Sequence, residues 1–168
     1  FEPRFRERFP TQTAALSSDA LYRAINAVEP TLIRVDADEV TYNLHILLRF
    51  EVEQQLFRGD LRVEDLPSTW NRLSAEILGL TPPDDRRGVL QDVHWSGGAF
   101  GYFPSYCIGN MIAAQLWYKV RADLPDLEGD FTRGEFGRLL TWLRTQIHHQ
   151  GRRFDTVGIV KQVTGEEL

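Results

Sequence analysis

The stretch DADEVTYNLHILLRFEVEQQLFRG, residues 36–59, decides the fold class. Within it Val40, Leu44, Leu47, Leu48, Val52 and Leu56 recur mainly at three- and four-residue steps, the repeat of one helix face. Gly59 follows directly, where a left-handed residue ends a helix without steric cost. The pattern predicts one long helix from about Asp36 to Arg58, with that stripe in the core.

The neighbouring segments read the same way. Ser17 or Ser18 can cap a helix carrying Leu21, Ile25 and Val28, which Pro30 ends. A shorter helix spans about Ser68 to Leu78 and closes at Gly79, followed by an exposed proline- and aspartate-rich loop at 81–88. Pro104 suits the first position of a long helix to about Asp123. Thr132 and Glu135 form a capping box for a helix reaching Gly151, with His148 and His149 in its last turn. Asp155 can cap a final short helix before Gly165. Only 89–103, rich in glycine and aromatics, lacks this period and allows a short extended run before a tight turn. The expectation is an all-α chain, with no repeat or domain boundary across 1–168.

Composition narrows the function classes. The 168 residues are 42% hydrophobic and 26% charged, which fits a soluble globular domain and not a disordered chain. The apolar run from Cys107 to Val120 is broken by Asn110, Gln115 and Lys119, so no membrane span is expected. A net charge of -5 gives no electrostatic reason to bind nucleic acid. Arg4, Arg6 and Arg8 are diluted by acids and read as solvated surface. The single cysteine, Cys107, excludes an internal disulfide, favours a reducing compartment, and sits in an apolar helical run where buried packing is expected. The absence of a signal sequence fits a cytoplasmic location, and a first residue that is not methionine suggests a piece of something longer.

A helical zinc-peptidase site needs two histidines four apart, with a glutamate beside the first to activate water. The four histidines, His45, His94, His148 and His149, offer no such pair, and the last two point about 100° apart on a helix. No metal ligand set, and hence no cofactor, is expected within these residues.

Two clusters remain. In LIRVDADEVTYNLH, residues 32–45, Asp36 or Asp38 can cap a helix while Arg34 pairs with a nearby acid. Alternatively, the planar guanidinium of Arg34 is a fork for a substrate carboxylate. In GVLQDVHWSGGAFGYFPSY, residues 88–106, glycines at 97, 98 and 101 permit close backbone approach while His94, Tyr102 and Tyr106 bring hydrogen-bonding groups. That combination suits oxyanion stabilisation, or else a packed aromatic turn with satisfied hydroxyls.

At these clusters the sequence resembles the carboxypeptidase Taq family. IRVDAD, 33–38, is similar to that family's [IV]-R-x-x-A-D motif, and GVLQDVHW, 88–95, to its G-x-x-Q-D-x-H-W motif. Residues 38–51 and 101–115 also look like family sequence. The resemblance implies a longer, two-lobed, mainly helical zincin-like peptidase, usually homodimeric, that removes C-terminal residues from peptides with zinc or cobalt bound. The family's H-E-x-x-H histidines and downstream glutamate have no counterpart here, so activity is not expected from this chain alone. It implies that Arg34 recognises a peptide's C-terminal carboxylate or holds the group that does. His94 would hydrogen-bond substrate. Tyr106 is the closest counterpart of the oxyanion-stabilising tyrosine of thimet-type oligopeptidases, with Tyr102 second. Asp38, Gln91, Asp92, Gly97 and Gly98 would support them. Expected partners are peptide C-termini and either a missing N-terminal half or further copies of the chain. The alternative is a non-catalytic relative acting as a binding or regulatory module through oligomerisation.

Overall fold

The structure, a computed structural model, describes residues 2–168. Among the described residues its regular elements are all helical, with no strand. Its helices are α1 (Glu2–Arg8), α2 (Pro10–Thr13), α3 (Ser18–Ile25), α4 (Tyr42–Arg58), α5 (Leu66–Leu78), α6 (Pro104–Asp123), α7 (Leu127–Arg133), α8 (Gly137–Gln146) and α9 (Thr156–Thr164). Short 3-10 turns at Arg34–Asp36, Val63–Asp65 and His148–Gln150 join them.

Local chemistry accounts for most boundaries. Ser17 accepts from the Ala20 amide to start α3, and Asp155 accepts from the Gly158 amide to start α9. Gly59, at φ 80°, and Gly79, at φ 73°, end α4 and α5 in the left-handed region. Three expectations change. The long helix begins at Tyr42 and not near Asp36, because Asp38 takes the amides of Val40 and Thr41 and leaves a turn before it. The capping box at Thr132 does not form. Gly134, at φ 74°, ends α7, Glu135 pairs with Arg133, and the predicted single helix becomes α7, α8 and a 3-10 turn. The segment 89–103 is a series of turns and not extended, closed by bonds such as Ala99 N to His94 O at 2.8 Å.

The chain divides into two compact units, one of residues 2–107 and one of residues 108–168. The first has a core of Leu48, Val52, Leu61, Trp70, Leu73, Leu78 and Val89, packed between α4, α5 and the start of the turn segment. The second is built on Val120, Leu127, Trp142 and Val163. Only part of the predicted apolar stripe of α4 is buried, with Leu56 packed against the core. Leu48 and Val52 are buried, but Val40, Leu44 and Leu47 are exposed, as are Phe50 and Phe57. The first unit encloses instead a polar line, His45, Arg49 and Glu53, at four-residue steps. Cys107 is half-buried rather than fully packed.

Candidate active site

Asp92 organises the site, which lies wholly in the first unit. One carboxylate oxygen, Oδ1, accepts from Arg34 Nε at 3.1 Å and Nη2 at 2.7 Å. The other, Oδ2, accepts from Arg49 Nε at 2.7 Å. A single carboxylate thus serves two guanidiniums, one on the Arg34–Asp36 turn and one on α4. Arg49 is completely buried, and its Nη1 also donates to the His45 carbonyl at 2.8 Å. Its guanidinium lies 4.9 Å from the Trp70 ring centre and 5.3 Å from that of Phe103.

Burial opposes charge at all three members, and pairing decides the outcome. For Asp92, burial favours the neutral acid, but hydrogen bonds and attraction from Arg34 and Arg49 hold its pKa below the ordinary carboxylate value. For Arg34, the Asp92 contacts outweigh burial and raise the pKa. Arg49 is deeper, and burial pushes it down to about 10 despite Asp92. His45, enclosed beside them, is pushed down to about 4 by burial and by the charges of Arg49 and Arg34, so it is neutral near pH 7.

Each guanidinium nitrogen of Arg34 has a partner. Besides Asp92, its Nη1 donates to the Tyr42 hydroxyl at 3.0 Å, and its backbone amide donates to Gln91 Oε1 at 2.9 Å. It is 7% exposed, which leaves little of the guanidinium open to a substrate carboxylate. Gln91 completes the tie by donating to the Leu32 carbonyl at 3.0 Å. The two sequence motifs are therefore one structural unit. Asp38 does not join it. Its carboxylate accepts from Glu29 N, Val40 N, Thr41 N and Thr41 Oγ1, a local cap whose bonds lower its pKa.

On this platform sit His94 and Tyr106. His94 Nε2 lies 2.9 Å from the Tyr106 hydroxyl, and its Nδ1 lies 3.7 Å from Asp92 Oδ1. The imidazole packs on Phe103 with ring centres 4.4 Å apart, and the Arg34 guanidinium lies 5.1 Å from the Tyr106 ring centre. Tyr102, half exposed, stands 5.8 Å from His94 and 5.3 Å from Tyr106, centre to centre, without a hydrogen bond to either. Gly98 adopts φ 77° and Gly101 φ 70°, which a side chain would strain, whereas Gly97 has an ordinary backbone. Arg49 and Glu53 are the members that sequence reasoning missed. Their signal was the four-residue spacing of polar residues inside an apolar helix.

Among the described residues no group of three or more His, Cys, Asp or Glu could hold a metal ion. His94 is taken up with Tyr106, and His45 is buried beside two arginines. These side chains do not form a metal centre, and no step is assigned to one here.

An all-helical scaffold carrying a tyrosine–histidine pair over an arginine-braced carboxylate does not by itself define an activity. The comparisons make the class specific. All 168 residues match the carboxypeptidase Taq (M32) metallopeptidase family, and the chain belongs to it. It is 53% identical over 166 residues to Thermostable carboxypeptidase 1 of Thermus thermophilus, covering 99% of this chain and 32% of that protein. Carboxypeptidase 1 of Bacillus subtilis is 48% identical over 165 residues, covering 98% and 33%. The BsuCP crystal structure superposes with a TM-score of 0.95 at 48% identity, over 100% of this chain and 34% of that one. The chain spans about a third of the length of the curated relatives it matches.

Proposed function

We propose that residues 1–168 form one wall of the substrate cleft of a metallocarboxypeptidase that removes C-terminal residues from peptides. The observation that carries this reading is the 2.9 Å pair of His94 Nε2 and Tyr106 Oη, seated on the Arg34–Asp92–Arg49 cluster. With His94 Nε2–H donating to Tyr106 Oη, the tyrosine O–H is free to donate to the negative charge that develops on a scissile carbonyl. Tyr106 is the primary donor, His94 its partner, and the exposed Tyr102 contacts substrate. Arg34 has a supporting role. It holds the platform through Asp92 and the Tyr106 ring rather than touching the peptide carboxylate. Gln91 and Asp92 fix the platform, and Asp38, Gly97 and Gly98 shape the turns around it.

Zinc or cobalt, if the enzyme uses one, would be held by residues outside this chain. The exposed apolar side chains of α4 support a partner that covers them, either further polypeptide of the same enzyme or a second copy. The single cysteine supports a reducing, cytoplasmic setting.

The test is Tyr106→Phe in the complete metallocarboxypeptidase, assayed on an N-blocked dipeptide with a free C-terminus. Loss of one oxyanion donor lowers kcat about 100-fold with little change in KM. Turnover at the level of the unsubstituted enzyme would remove Tyr106 from the chemistry.

A further inference from the structure

Glu53 is a buried carboxylate that none of the site's charges explains. It lies on the inner face of α4, 4% exposed. Its Oε1 accepts from the Trp95 indole N–H at 2.6 Å, and its Oε2 accepts from the Gly101 amide at 3.1 Å. Those two donors stand at the two ends of the glycine-rich turn. His94 immediately precedes the first and Tyr102 immediately follows the second.

Backbone bonds within 93–99, among them Gly97 N to Val93 O at 3.1 Å and Gly98 N to Trp95 O at 3.0 Å, hold the first part of the turn. The bond from Ala99 N to His94 O at 2.8 Å closes it. Beyond that, a Cβ added at Gly98 or Gly101 would meet nothing within 4 Å, so side-chain packing does not confine the backbone there. Both glycines occupy the left-handed region, where glycine has several accessible conformations close in energy. Phe100 meets Phe57 of α4, one helical turn beyond Glu53, and both rings are exposed. Trp95, in contrast, is wedged edge-on against Trp70 and Phe103, with centres 6.0 Å away in each case. A carboxylate that bridges this anchored indole to the loose Gly101 amide sets the separation of the turn's ends.

We propose that Glu53 is a positioning residue for the reaction. By clasping Trp95 and Gly101 it fixes the loop that carries His94 and Tyr102, and through Phe103 it fixes where Tyr106 enters α6. The inference rests on the reading of Tyr106 and His94 given above. Small displacements of a donor from a developing charge are costly, so the clasp acts on turnover more than on substrate binding.

The complete enzyme would be compared as Glu53→Gln, Trp95→Phe, the double variant and Tyr106→Phe. A glutamine at 53 can still accept from Trp95, but it turns an amide N–H2 toward Gly101. Phenylalanine at 95 keeps most of the ring and loses only the indole donor. We expect Glu53→Gln to lower kcat about 10- to 100-fold with KM within about twofold. Amide exchange in the peptide spanning 96–103 should become faster. Trp95→Phe should show a smaller effect in the same direction, and the double variant should be less impaired than the product of the two single effects. If Glu53→Gln does not fold, Trp95→Phe alone decides, by the same split of kcat from KM and the same exchange readout. Unchanged kcat or unchanged exchange, while Tyr106→Phe remains impaired, overturns the role of Glu53 and leaves the site intact. Normal turnover by Tyr106→Phe overturns the site itself, and the inference with it.

Discussion

His45 is neutral at pH 7 although Asp92 favours its charged form, because burial and the charges of Arg49 and Arg34 deny it a proton. In the unfolded chain its imidazole titrates near the ordinary value of 6.5, whereas in the folded chain it titrates at about 4. Between those values the unfolded state binds a proton that the folded state refuses. Stability is therefore complete above pH 6.5 and declines as pH falls toward 4. For this residue the loss between pH 7 and pH 5 is about 2 kcal/mol. Urea unfolding at the two pH values, with His45→Gln as control, measures it, and equal losses in the two proteins would contradict the assignment. Asp92 adds to the acid sensitivity lower down. Its folded pKa is depressed, so the stability it contributes is present above the usual carboxylate range and lost as pH falls through its folded value.

At the level of elements, α4 separates what the sequence discloses from what it withholds. Its end at Gly59 was legible, as were the caps at Ser17 and Asp155, because each depends on a residue and its nearest neighbours. Its inner face was not. A helix with apolar residues all round gives no single direction, and the choice rests on what packs against it. The polar line of His45, Arg49 and Glu53 turned out to point inward because partners from residues 92, 95 and 101 await it. Arg34, His94 and Tyr106 stand in recognisable motifs, but nothing local marks Arg49, whose partner Asp92 lies 43 residues away. The corrected orientation has a direct check. Leu48→Ala, at 1% exposure, should cost about 3 kcal/mol, and Leu47→Ala, at 44% exposure, less than about 0.5 kcal/mol in urea unfolding of the 168-residue chain. Comparable losses at the two positions would restore the stripe that the sequence suggested.

For the whole molecule, two units with separate cores leave much apolar surface uncovered, including Leu44, Leu47 and Phe50 on α4 and Ile108 and Met111 on α6. The purified 168-residue chain should therefore bind a hydrophobic dye and sediment as a species heavier than a monomer. Serine at 44, 47 and 50 should weaken both signals. A monomer that ignores the dye would argue that these side chains need no cover. Finally, the bonds from Asp92 to Arg34 and Arg49, and from Trp95 to Glu53, all reach across the exposed stretch 83–87. The backbone there can be opened without releasing either side, since the two pieces stay pinned by contacts that do not run through the peptide bond. That stretch is consequently a place where new termini or inserted sequence can be accommodated while the catalytic wall keeps its shape.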